Sequence, residues 1–190
     1  MVIIVEGKDD KNFFVSLLND LKRDKQIALK DNVNFDDYIE IMGGKRKLLD
    51  KSNSKYQKLS MKIENDDIEK ALFLFDCDFE KDDKNCNGME KSLQCFDNLK
   101  KELNWNIKID VYIFDKNLDY FLVETINKKE CYEHFHKLVA CLEVEKLKPN
   151  KKPIANLYRD LYPYPQFDFK DDRFQPLKDK LIDLFKGIEE

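Results

Sequence analysis

Two spacings of apolar residues alternate along this chain. Val2-Ile3-Ile4-Val5 and Ala71-Leu72-Phe73-Leu74-Phe75 run without interruption, the pattern of strands buried on both faces of a parallel sheet. Residues 38–42 and 109–114 predict two further strands. Between the strands the period changes to that of a helix. Phe13, Phe14, Leu17, Leu18 and Leu21 fall on one helical face, with Asp9 or Asp10 as the cap. A helix starting at Lys45 carries Leu48, Leu49, Tyr56 and Leu59 as candidate core, and one near 89–103 carries Leu93, Phe96, Leu99 and Leu103. Strands alternating with helices predict an α/β fold, a four-stranded parallel sheet with helices on its faces, joined by right-handed crossovers.

Beyond residue 125 the pattern is helical. A long segment over 130–147 is broken by Lys148-Pro149-Asn150-Lys151-Lys152-Pro153, and Pro153 is placed to open a short helix. Tyr162-Pro163-Tyr164-Pro165 cannot continue one. A last helix over 176–185 buries Leu177, Leu181, Ile182 and Phe185. Residues 1–125 thus form the sheet domain, and 126–190 a helical extension expected to pack on it.

Composition narrows the class. With 42% hydrophobic and 38% charged residues in 190, the chain reads as one soluble globular protein. A net charge of -4 argues against coating nucleic acid by bulk electrostatics. Cys77, Cys86, Cys95, Cys131 and Cys141 form no C-x-x-C pair, which predicts free thiols in a reducing cytoplasm. No apolar segment is long enough to span a membrane, and Met1 leads straight into a strand without a signal sequence. No internal repeat is present.

The chemistry collects where strands stop. Glu6-Gly7 follows the first strand, Gly43-Gly44-Lys45 the third predicted element, Asp76-Cys77-Asp78 the central strand, and Asp115 with Asp119 the last. Ligands of open parallel sheets bind outside the carboxyl ends of the strands, so these residues would line one acidic cleft. Asp76 and Asp78, two apart on an extended chain, would leave the same face and share a divalent cation. The alternative is a strand-end turn with two solvated aspartates. Lys45-Arg46-Lys47 puts three cations in a first helical turn, against the helix dipole, which suggests a nearby anion, or else a solvated lysine-rich face. Cys77 faces away from its neighbours and reads as packing.

These residues resemble the two signature motifs of the Toprim domain shared by topoisomerases, primases and certain nucleases: a strand ending in Glu6-Gly7 before a helix, and Asp76-Cys77-Asp78 after an apolar strand. The resemblance covers residues 1–125 and implies a Rossmann-like four-stranded Toprim sheet. It also implies Glu6 as general acid or base, with Asp76 and Asp78 holding Mg²⁺ or Mn²⁺. Glu80 stands where a third acid often follows. Glu6-Gly7-Lys8-Asp9-Asp10 is similar to the E-G-x-x-D form of overcoming-lysogenization-defect nucleases and small standalone bacterial Toprim proteins, which adds Asp10 as a metal ligand. Leu118-Asp119 stands where those proteins carry Leu-Glu, making Asp119 an additional candidate acid.

Absences limit the choice. Gly43-Gly44-Lys45 lacks the loop of a G-x-x-x-x-G-K-[ST] motif, so no ATPase of the chain's own is expected. Nothing resembles a primase zinc site, and His134 and His136 lie on different faces of a helix. Trp105 and the tyrosines near Pro163 read as packing rather than base-stacking platforms. The expected activity is Mg²⁺-dependent phosphoryl transfer or phosphodiester cleavage on nucleic acid or a nucleotide. In that reading Gly43, Gly44, Lys45, Arg46 and Lys47 hold a flanking phosphate. The competing expectation is a non-catalytic module that binds metal, nucleotide or a partner protein supplying an ATPase. A generic nucleotide-binding α/β protein without metal dependence is a third.

Overall fold

Val2–Val5 (β1), Ile39–Ile41 (β2), Lys70–Asp76 (β3) and Lys108–Phe114 (β4) form a single all-parallel sheet, ordered β2-β1-β3-β4, in the computed structural model. The structure describes residues 1–30, 33–81, 85–125 and 169–187, with 130, 133, 134 and 137. The fold is α/β, as the alternation predicts. The register sets Val5 between Ile41 and Leu74, and Asp76 beside Phe114. Strand order reverses at β1: the chain leaves it toward β2 on one side and returns to β3 on the other. The C-terminal ends of β1 and β3 therefore flank the switch point, where an open sheet leaves a crevice.

Because strand side chains alternate, each face of the sheet builds its own core. On one face Ile3, Val5, Leu72, Leu74 and Phe114 meet Phe13, Phe14, Leu17, Leu18 and Leu21 of Lys8–Arg23 (α1). Leu118 and Leu122 of Leu118–Glu124 (α5) join this layer, with Leu177, Leu181 and Phe185 of Gln175–Phe185 (α6). On the other face Val2, Ile4, Ala71, Phe73 and Phe75 pack against Leu48 of Lys45–Leu48 (α2), Tyr56 and Leu59 of Ser54–Glu64 (α3), and Phe96 and Leu99 of Met89–Leu103 (α4). Full burial of such a side chain contributes about 1.5–3 kcal/mol, so the two layers carry the fold. The segment leading into the last helix joins the first core as well: the rings of Phe169 and Phe174 lie 5.9 and 6.2 Å from that of Phe13.

Several local expectations are revised. α1 begins at Lys8 with Gly7 as its cap residue, and Asp10 reaches back from the third helical position to accept the Gly7 N–H at 2.7 Å. The helix expected from Lys45 to Leu59 is two helices. Asp50 accepts the Ser52 N–H at 2.9 Å, and Asn53 accepts that of Lys55 at 3.2 Å, so a turn and a new cap intervene. Leu93 is 41% exposed; Ser92 takes its place on the buried face of α4. Trp105 is packing, as expected: its indole donates to Ser60 at 2.8 Å beside Tyr56 and Phe73.

The expectation of free cysteines is corrected, since Cys86 and Cys95 are joined by a disulfide. Cys77 is free and buried. Cys131 and Cys141, most of the 130–147 segment including His136, the break at 148–153, the helix at Pro153 and the Tyr162–Pro165 stretch lie outside the described residues. Among the described residues no helix is long and apolar enough to cross a membrane.

Candidate functional site

Three chain segments meet at the C-terminal edge of β1 and β3. Glu6 directly follows β1, and its Oε1 accepts the backbone N–H of Asp76 at 2.8 Å, bridging the switch point. Asp76 Oδ1 in turn accepts the Leu118 N–H at 2.9 Å, so this carboxylate serves as an acceptor for the first turn of α5. The Asn117 side chain takes the Tyr120 N–H at 2.8 Å in the same turn. Asp10 faces the group from α1, and Asp119 is near enough to act on it electrostatically.

The electrostatics of this edge are unfavourable. Burial pushes the Glu6 carboxyl up to about 7; the Asp76 N–H opposes the rise, Asp10 and Asp78 add to it, and Lys45 lowers it. Asp76 is raised well above its ordinary range by burial and then by Glu6, Asp10 and Asp78, against the Leu118 N–H. Asp10 is raised to about 6, again by burial, against the Gly7 N–H. Carboxylates close together in a partly dry site cannot all ionise cheaply. Displaced carboxyls gathered at one edge of a sheet mark a candidate functional site.

The D-x-D stretch does not stay extended. β3 ends at Asp76, and Asp78 takes a left-handed conformation with φ of 57°, turning its carboxylate toward Lys45 Nζ at 3.5 Å. The shared-face geometry expected for Asp76 and Asp78 is therefore replaced by two separate placements. Glu80 leaves the group altogether. Its side chain is 67% exposed, 3.6 Å from Lys91, and packs over Gly88, where an added Cβ would lie 2.5 Å from Glu80 Cγ. Asp115 is exposed, and Cys77 is buried behind the edge with its thiol accepting the Lys116 N–H at 3.0 Å.

The expected phosphate cradle is also rearranged. Gly43 and Gly44 take positive φ, as their turn requires, but both N–H groups donate to the Glu6 carbonyl at 2.8 Å and so are committed to the backbone. Lys45 is buried, whereas Arg46 and Lys47 are exposed. Its Nζ donates to Cys77 O at 2.8 Å and to Asn87 Oδ1 and Ser92 Oγ at 3.1 Å each. Neither Asn87 nor Ser92 stood out in the sequence. The available signal was Ser92 itself, a polar residue in step with Phe96 and Leu99 on the buried face of α4.

Whether a divalent cation suits this edge can be judged from the donors. Among the described residues no three His, Cys, Asp or Glu side chains are arranged to hold a metal ion. Mg²⁺ does not require such a cage, since it keeps several waters and binds proteins through one or two carboxylates. Glu6, Asp76, Asp10 and Asp78 supply hard oxygen donors whose mutual repulsion a dication removes, and Lys45 acts on Glu6 in the same sense. The donor chemistry fits. No protein-family model, curated protein or solved structure matches the chain.

Proposed function

We propose that the switch-point edge is a divalent-cation site for phosphoryl-group chemistry, and that the chain is a Toprim-type protein cleaving phosphodiesters in nucleic acid. The observation that carries this reading is the bridge from Glu6 to the Asp76 backbone, which sets a carboxyl raised to about 7 beside two aspartates. A general acid or base works best when its pKa lies near the operating pH. Glu6 has one oxygen fixed by the Asp76 N–H, and the other is left to give or take the proton. Asp76 and Asp78, with Asp10, would hold Mg²⁺ or Mn²⁺. When bound, the ion polarises a phosphate and offsets the developing charge. Arg46 and Lys47, exposed on the rim of the β2–α2 turn, would meet a flanking phosphate. A cytoplasmic location belongs to the same proposal, although the Cys86–Cys95 bridge is uncommon in a reducing compartment.

One observation favours a second reading. The Gly43 and Gly44 amides and the Lys45 ammonium are committed internally, which leaves fewer groups for substrate than a nuclease would use. A non-catalytic module binding metal, a nucleotide or a partner protein with its own ATPase accounts for that economy.

Metal titration followed by cleavage assays tests both. Mg²⁺ or Mn²⁺ should raise the melting temperature, because binding the folded state alone adds about 2.7 kcal/mol at a hundredfold excess over Kd. Asp76→Asn combined with Asp78→Asn should abolish that response. A double variant that responds like the parent places the ion elsewhere, and metal binding without cleavage of single- or double-stranded DNA or RNA selects the module.

A further inference from the structure

Lys45 opens α2 beside two exposed cations, yet its own side chain is 9% exposed. An ammonium has three N–H donors and no acceptor, so Cys77 O, Asn87 Oδ1 and Ser92 Oγ, all within 3.1 Å, use its full capacity. Asp78 Oδ2 at 3.5 Å is an outer, ionic contact. All four acceptors lie between the end of β3 and the first turn of α4, on Cys77, Asp78, Asn87 and Ser92. Cys77 and Asp78 are also tied to the end of β4, their N–H groups donating to Phe114 O at 3.0 Å and Lys116 O at 2.6 Å, whereas the ties of the part nearer α4 are local: Gly88 N–H to Cys77 O at 2.8 Å, Ser92 Oγ to Cys86 O at 2.8 Å, Asn87 Nδ2 to Phe79 O at 3.2 Å, and the Cys86–Cys95 bridge. Lys45 ties this stretch to the other side of β1, because its own turn is bonded to the Glu6 carbonyl through Gly43 and Gly44.

We propose that Lys45 is a positioning residue: its ammonium clamps Cys77, Asn87 and Ser92 against the β2–α2 turn and, together with the backbone bond from Asp78 to Lys116, sets where the Asp78 carboxylate stands at the acidic edge. The ion-binding consequence rests on the divalent-cation reading above; the clamp itself does not. The three donors of this ammonium go to neutral oxygens and give no full hydrogen bond to the carboxylates, so Asp78 is held near without being consumed.

Lys45→Met retains the aliphatic stem and removes the ammonium. Amide hydrogen exchange across 85–92 is measured with the Cys86–Cys95 bridge reduced, so that the covalent tie cannot mask the change, and Mn²⁺ affinity is measured by electron paramagnetic resonance. Exchange over residues 85–92 should quicken roughly tenfold or more, as expected for losing hydrogen bonds to a charged group, with α1 unchanged. Mn²⁺ affinity should fall by about tenfold to a hundredfold, the usual effect of losing a group that orients a ligand. The sign is decisive, because deleting a cation beside a dication raises affinity if charge alone matters. Parental exchange rates, or tighter Mn²⁺ binding, overturn the clamp. If the parent binds no Mn²⁺, the divalent-cation reading fails while exchange still judges the clamp. Should Lys45→Met fail to fold, Ser92→Ala removes one acceptor; faster exchange over 85–92 supports the proposal and parental exchange overturns it.

Discussion

The two ends of the sheet handle charge in opposite ways. At the N-terminal end, Lys180 Nζ lies 2.8 and 2.9 Å from the two Asp110 oxygens, Lys108 pairs with Asp183, and Lys70 donates to the Lys186 carbonyl at 2.6 Å at the C-terminal end of α6. There Lys180 and Lys108 have carboxylate partners, and Lys70 is tied to backbone carbonyls. The Lys108 ammonium is pushed up and the Asp183 carboxyl down, both first by the hydrogen bond they share. At the C-terminal end, Glu6, Asp10 and Asp76 are all pushed up, in each case first by burial. One end is resolved for docking α6. The other keeps a repulsion that neutral side chains would remove, and sequences that break a local rule this way do so at functional sites.

Replacing the acid that titrates near 7 should have the largest effect. Glu6→Gln keeps an acceptor for the Asp76 N–H while removing the titrating proton, so any phosphodiester turnover should drop by about 10² to 10⁴. The metal-induced rise in melting temperature should survive. Parallel loss of rate and metal response would make Glu6 a ligand instead.

The next effect is on stability against pH. The Glu6 carboxyl titrates near 7 in the folded protein against an ordinary 4.5, so the folded state binds the extra proton between those values. The contribution of this group to stability is therefore greatest below about 4.5 and declines as pH rises toward 7, by about 3 kcal/mol. Urea midpoints in metal-free buffer should fall from pH 5 to pH 8, and saturating Mg²⁺ should flatten the curve. The depressed Asp183 carboxyl contributes in the opposite sense, and its contribution is complete before this window opens. A flat metal-free profile would remove the contrast between the two ends.

The covalent tie at the acidic edge ranks third. Cys86 and Cys95 are nine apart, and closing so short a loop contributes about 2 to 3 kcal/mol in the chain-entropy model. Cys95→Ser should lower the urea midpoint accordingly under oxidising conditions and leave it unchanged under reducing ones. A difference persisting in reductant would trace the loss to packing.

Smallest of all is the paired end. Lys180→Gln breaks a part-exposed bond to Asp110 and should cost under about 1 kcal/mol, with no change in metal response. A loss well beyond that would show that α6 docks through its charges rather than through Leu177 and Leu181.

Local patterns made most of the fold legible. The unbroken runs at Val2–Val5 and 71–75 specify buried strands, because only a strand covered on both faces tolerates apolar residues in succession. Helical spacing located α1, α4 and α6 to within a few residues. The helix expected over Lys45–Leu59 failed because periodicity does not register Asp50 and Asn53 diverting backbone bonds into a turn. Ser92 was overlooked because its meaning depends on Lys45, distant in sequence.

The sequence by itself determined which residues end strands, and hence that Glu6 and Asp76 lie on the same edge of a parallel sheet. It could not determine that they touch, because that depends on β1 and β3 being neighbours, and strand order is set by how the crossover helices pack. Nor could it separate Lys45 from Arg46 and Lys47. Three successive cations are alike as a string, and a four-residue helix aims them in different directions. Only the tertiary structure brought Cys77, Asn87 and Ser92 to the one pointing inward, since hydrogen bonds between distant segments follow from the packed layers and not from any local period.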